Sequence, residues 1–145
     1  MSIKVIAIGN VIMGDDGIGI RVLEKIHNKL EEMGMECIIG ETDFDYCISK
    51  ISKEDFIFII DAAYCGKNIG DVTVFPFEEY DLMKYGISQH SICLFNMLPL
   101  GLRTVKGYII GIEVKKVNFS MLLTKDISDK LDDICENVIK SLIGF

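Results

Sequence analysis

Blocks of apolar residues recur along this chain with two different periods. Ile3 to Ile8 is apolar except for Lys4 and stops at Gly9-Asn10, the pattern of a strand covered on both faces. Ile18, Val22, Ile26, Leu30 and Met33 follow at helical spacing, with Lys25, Lys29 and Glu32 opposite and Gly34 placed to end the helix. Cys37 to Gly40 predicts a short second strand and Tyr46 to Ile51 a short helix. Phe56 to Ile60, "FIFII", is the most apolar run and predicts a central strand with Asp61 at its carboxyl end. Asp71 to Phe77, closed by Pro76, reads as a strand at an edge, where a missing N–H is tolerated. Ser88 to Leu98 predicts a helix with Ser88 as N-cap and Pro99 beyond it. Val105 to Ile112 returns to strand, and Ile127, Leu131, Ile134, Val138 and Leu142 predict one closing helix behind Thr124 or Asp126. Strands and helices alternate, so the expected class is α/β: a three-layer sandwich with a mainly parallel twisted sheet flanked by helices.

Composition narrows what such a fold does. A chain of 145 residues, half of them hydrophobic, builds one substantial core and is short for two, so residues 1–145 are read as a single domain. The net charge of −7 argues against a nucleic-acid partner, which needs clustered Lys and Arg. No apolar run reaches the roughly 18 residues of a membrane span, and the chain opens into a strand with no charged leader; a cytoplasmic protein is expected. Five cysteines form no CxxC pair, which suits reduced thiols acting as small hydrophobes.

The chemistry concentrates in "GNVIMGDDGIGI", Gly9 to Ile20. Its first half has the spacing of a phosphate-binding loop, but Asp15-Asp16 stand where lysine and a hydroxyl are required. A carboxylate ~4 Å from a phosphate costs several kcal/mol at intermediate dielectric, so an anion is a poor ligand here. A cation is a better one. One aspartate is expected to cap the following helix or orient the loop, where its charge meets the helix dipole; adjacent residues cannot both be the cap. Asp61 also follows a strand's carboxyl end, the edge at which open α/β sheets bind ligands. His27 lies three turns into the first helix and away from that edge, whereas His90 opens a helix that begins beside it. His90 and Cys93 at i,i+3 leave a cysteine hydrolase open as an alternative.

"GNVIMGDDGIGIRV", then "FIIDA", then "SQHSICLFNML" resemble, in order and spacing, the hydrogenase maturation endopeptidases. The likeness runs from Ile3 to about Ile112. It implies a phosphorylase/hydrolase-like α/β fold and a metal-dependent, aspartic-type endopeptidase. Such an enzyme trims the C-terminus of the nickel-iron hydrogenase large-subunit precursor after nickel insertion. It further implies that Asp16, Asp61 and His90 are both catalytic and nickel-binding, the nickel being supplied by the substrate and held there by precursor thiolates. Zinc or cadmium could occupy the same hard-oxygen and imidazole set. Members usually carry a Gly-Gly-Thr/Ser turn after the second strand. Here the text is "GETDFDY", making Glu41, Thr42 and Asp43 a candidate substrate-recognition loop whose acidity suits a basic precursor segment. A non-catalytic, metal-binding precursor chaperone would use the same residues.

Overall fold

Each apolar run becomes a strand because both of its faces find a helical layer. The computed structural model describes residues 2–78, 86 and 88–144. Its elements are β1 (Ile3–Ile8), α1 (Ile18–Glu32), β2 (Met35–Glu41), α2 (Phe44–Ser49), β3 (Phe56–Ala63), β4 (Val72–Pro76), α3 (Gln89–Met97), β5 (Lys106–Glu113), α4 (Lys125–Asp129) and α5 (Leu131–Ile143). Among the described residues the sheet order is β2-β1-β3-β5-β4. β1, β2, β3 and β5 are parallel, and β4 runs antiparallel on the outer side of β5. The Pro76 strand therefore lies at an edge, as its composition predicts.

Strand periodicity divides the core in two. Val5, Ala7, Phe58, Ile60, Ile110 and Ile112 face α1 and α5, meeting Ile18, Leu23, Ile134 and Val138. Ile6, Ile8, Ile57, Ile59 and Ile109 face the other way, toward Cys47 of α2 and Leu94 of α3. Full burial of each such side chain is worth about 1.5–3 kcal/mol, so two occupied faces explain why these strands need no polar alternation. Lys4, the one charge in β1, is matched at the amino end of the sheet by Asp55 at 2.8 Å.

Several expectations need correction. β2 starts two residues before Cys37 and ends one past Gly40, because pairing with β1 extends it. α2 begins at Phe44 instead of Tyr46, since the Asp43 side chain accepts the Tyr46 N–H at 3.0 Å and caps it. The closing helix is two helices: α4, capped by the Thr124 side chain, ends at Asp129, and α5 restarts at Leu131. Asp61 is not beyond its strand but within it, paired with Gly111, because β5 supports β3 for three residues past Ile60. Gly34 does stop α1, at φ +87°. Among the described residues no helix is long and apolar enough to cross a membrane.

Candidate active site

The loop after β1 turns sharply because Gly9 takes φ +137°, a region closed to side chains; a Cβ there would strike the Asp16 carbonyl. Residues Gly14–Gly17 then coil into a 3-10 turn before α1 begins. Neither aspartate caps α1, whose N-cap is Gly17 with no side-chain bond. This corrects the capping expectation and gives the two acids different tasks. Asp15 points toward α4, accepting the Thr124 N–H at 2.8 Å and the Thr124 hydroxyl at 2.7 Å. Asp16 points into the site. Its Oδ2 accepts from the Asn10 N–H at 3.1 Å and meets His90 Nε2 at 2.8 Å, and its Oδ1 accepts the Tyr64 hydroxyl at 3.3 Å.

Asp61 stands behind this pair. Strand alternation turns it to the Ile57/Ile59 face, where α3 packs, and it has no exposure to solvent. Its Oδ2 accepts the Ser91 hydroxyl at 2.7 Å and also the Ser88 hydroxyl, while Oδ1 accepts the Ala62 N–H at 2.8 Å. Ser88 is thus the N-cap of α3 by position only, its side chain being drawn to Asp61 instead. α1 comes close to the same spot, because a Cβ on Gly19 would lie 2.5 Å from the Ile60 carbonyl oxygen.

Burial would raise the Asp16 carboxyl, but the His90 bond and charge, with Asn10 and Tyr64, hold it below its ordinary value. His90 is raised, first by the bond to Asp16 and then, against its own burial, by the charges of both aspartates. Asp61 is pushed up to about 6 by complete burial, which the two serines, His90 and the Ala62 N–H only partly offset. Tyr64 is raised by burial and by Asp16, so it acts as a neutral hydroxyl donor. Asp16 and His90, an ion pair whenever the imidazole is protonated, stand at the wall of a pocket of about 370 Å³. Asn10, Met13, Tyr64, Ser88, Gln89 and Val117 complete its lining.

An oxygen and an imidazole nitrogen facing one cavity can pass a proton or bind a divalent ion. Among the described residues, no three His, Cys, Asp or Glu side chains are disposed as a ready ligand set. Asp16 and His90 are instead bonded to each other, and Asp61 to serines. The remaining sequence candidates lie around this centre. Glu41 ends β2 and its carbonyl accepts the Gly9 N–H at 3.1 Å; Thr42 is exposed in the turn; Asp43 serves α2 as its cap. Phe44 follows, its ring 6.4 Å from that of His90. Cys93 is on the exposed side of α3 while His90 is engaged by Asp16, and burial with the nearby Glu113 raises the Cys65 thiol. This geometry does not favour a cysteine nucleophile. His27 is half-exposed beside Glu31 at 3.7 Å, remote from the site.

Sequence reasoning missed Tyr64, Ser91 and the role of Ser88. The two serines, three apart around His90, share one helix face, which is a readable signal; Tyr64 leaves none. A family model described as hydrogenase maturation protease matches residues 20–141, a span that includes Asp61 and His90 and begins just after Asp16. A relative from Methanocaldococcus jannaschii, provisionally named a hydrogenase maturation protease, is 28% identical over 95% of this chain and 88% of its own length. Among solved structures, the [NiFe] hydrogenase maturation protease HybD from Thermococcus kodakarensis matches with a TM-score of 0.75 at 26% identity, covering 97% of this chain and 98% of that one. The hydrogenase maturating endopeptidase HybD from E. coli matches with a TM-score of 0.77 over 99% of this chain and 93% of that one. At 22% identity the E. coli likeness speaks for the fold alone.

Proposed function

This chain belongs to the hydrogenase maturation protease family, and we propose that it removes a C-terminal peptide from the nickel-iron hydrogenase large-subunit precursor once nickel has been inserted. The observation that carries the reading is the meeting of Asp16 and His90, 74 positions apart, at 2.8 Å on the wall of an open pocket.

The donor chemistry fits nickel delivered with the substrate. Asp16 and His90 meet at 2.8 Å, and a carboxylate oxygen beside an imidazole nitrogen suits a divalent ion such as nickel. Asp61 lies behind the pair, its Oδ2 taken by two serines and its Oδ1 by the Ala62 N–H alone, and it acts on the site through its charge on His90 or through the free lone pair of Oδ1. When present, nickel supplies Lewis acidity toward a carbonyl or a water. This chain's residues supply the rest. Asp16 is ionised and aimed by the Asn10 N–H and the Tyr64 hydroxyl; His90 is held against it and can accept or return a proton at Nε2.

The test is to incubate the protein with nickel-loaded and nickel-free large-subunit precursor and to weigh the products by mass spectrometry. Loss of a C-terminal peptide only from the loaded precursor is the expected result. Retention of the loaded precursor uncut, in a stable complex, would instead identify a holding chaperone.

A further inference from the structure

After β5 the chain does not turn directly into α4 but runs back to the loop that follows β1, with Val117 on the pocket wall. Residues 115–122 are fastened to the Asp16 loop there. The Gly14 N–H donates to the Ser120 carbonyl at 2.8 Å, the Ser120 N–H donates to the Ile12 carbonyl at 2.9 Å, and Met13 and Ser120 form a β-bridge. Arg21 Nη2 adds a bond to the Met121 carbonyl at 3.3 Å. The strap is therefore held in place, yet the side chains it presents are apolar and wet. Phe119 is 82% exposed, Leu122 77% and Met121 60%, with Val117 and the neighbouring Ile12 also exposed. Single exposed apolar residues are ordinary, whereas a cluster rimming a polar pocket marks an interaction surface.

We propose that this strap is the docking surface for the precursor segment that flanks the bond to be cut, an extended stretch with apolar side chains and an acidic residue. The inference rests on the function proposed above and adds the place and chemistry of recognition. Continuity with the site is the first argument: Val117 belongs both to the strap and to the pocket wall that carries Asp16 and His90. A chain seated on Phe119 and Leu122 thus leads directly to the candidate catalytic pair. Charge is the second argument. Lys115 and Lys116 stand exposed at the start of the strap, and Lys125 lies across a shared hollow that also holds Asp126 and the Thr124-bonded Asp15, so the lysines are in slight excess there on a chain whose net charge is −7. An acidic residue in the bound segment would meet that basic spot.

The experiment measures cleavage of the nickel-loaded precursor by the wild-type protein, by a Phe119→Ser/Leu122→Ser double variant and by Lys115→Glu/Lys116→Glu. The altered positions are at the surface, and thermal melts check that each variant is folded. The serine variant is expected to raise KM roughly tenfold or more while kcat stays within about twofold, the pattern of lost uniform binding. The glutamate variant is expected to raise KM more at low salt than at high salt. An unchanged KM in the serine variant, with the wild type active, overturns the docking proposal and leaves the function standing. Failure of the wild type to cut the loaded precursor defeats the function and this proposal with it. A wild-type dimer that the serine variant dissolves without a change in KM would make the strap a contact between copies and overturn the proposal.

Discussion

Asp15 and Thr124 lie 109 positions apart and are joined by two hydrogen bonds, at 2.8 and 2.7 Å. The same Thr124 oxygen accepts the Ile127 N–H at 3.4 Å, so one contact ties the candidate catalytic loop to the start of α4. Asparagine in place of Asp15 keeps one oxygen for the Thr124 N–H and can turn its amide toward the hydroxyl. Asp15→Asn should therefore cost only about 1 kcal/mol of stability and retain cleavage, whereas Asp15→Ala leaves the half-buried Thr124 donors unmet and should cost about 1–3 kcal/mol. Urea unfolding of the two variants measures the difference, and equal losses would show that the contact is packing and not hydrogen bonding.

Asp16 should behave differently from its neighbour. Asp16→Asn keeps the shape but removes the charge that faces His90, and precursor cleavage should fall by a factor of about 10² or more, with melting temperature little changed. Asp16→Glu keeps the charge on a longer arm and should retain part of the activity. Rates for both, compared with Asp15→Asn, assign the working carboxylate; an inactive Asp15→Asn beside a normal Asp16→Asn would reverse the roles.

Glu41 is the only residue other than glycine with positive φ among the described ones, at +52°. It sits where β1 and β2 slip register, with Ala7 opposite Ile39 but Ile8 opposite Glu41, so a bulge marks the start of the acidic loop. A left-handed non-glycine costs about 1–2 kcal/mol. Glycine's freedom in the unfolded chain takes back about 0.4–1 kcal/mol. Glu41→Gly should therefore stabilise the protein by about 0.5–1 kcal/mol while changing which precursor is processed more than metal affinity. Denaturant unfolding, competition between two precursors and a nickel titration test the three parts.

Lys4 and Asp55 predict a pH dependence far from the site. Burial alone would raise the Asp55 carboxyl, but the Lys4 ammonium and the Ser52 N–H at 2.8 Å hold it below its ordinary 3.8. A carboxyl lowered by folding contributes stability that is present above the unfolded value and is lost as pH falls through the folded one. Asp55→Asn should thus be less stable than wild type at neutral pH, and the gap should close only below about pH 3.8. A gap independent of pH down to 2.5 would mean that the carboxylate charge contributes nothing.

From its pattern alone this sequence determined the α/β class, the strand cores at Ile3 and Phe56, the edge position of the Pro76 strand and the kinds of side chain, carboxylate and imidazole, offered by the Asp15-Asp16 loop and the start of the Ser88 helix. These depend on local periodicity, on glycine-bounded turns and on which atoms a side chain carries, all of which are present in neighbouring residues. Tertiary structure decided which aspartate turns inward and which binds Thr124, that Asp61 lies inside β3 under Ser88 and Ser91, and that the strap after β5 returns to the Asp16 loop. Those partners are separated by 27 to 109 positions. They meet only because strand order, parallel pairing and the face assigned to each helix bring distant turns to one edge of the sheet, and no local preference encodes that closure.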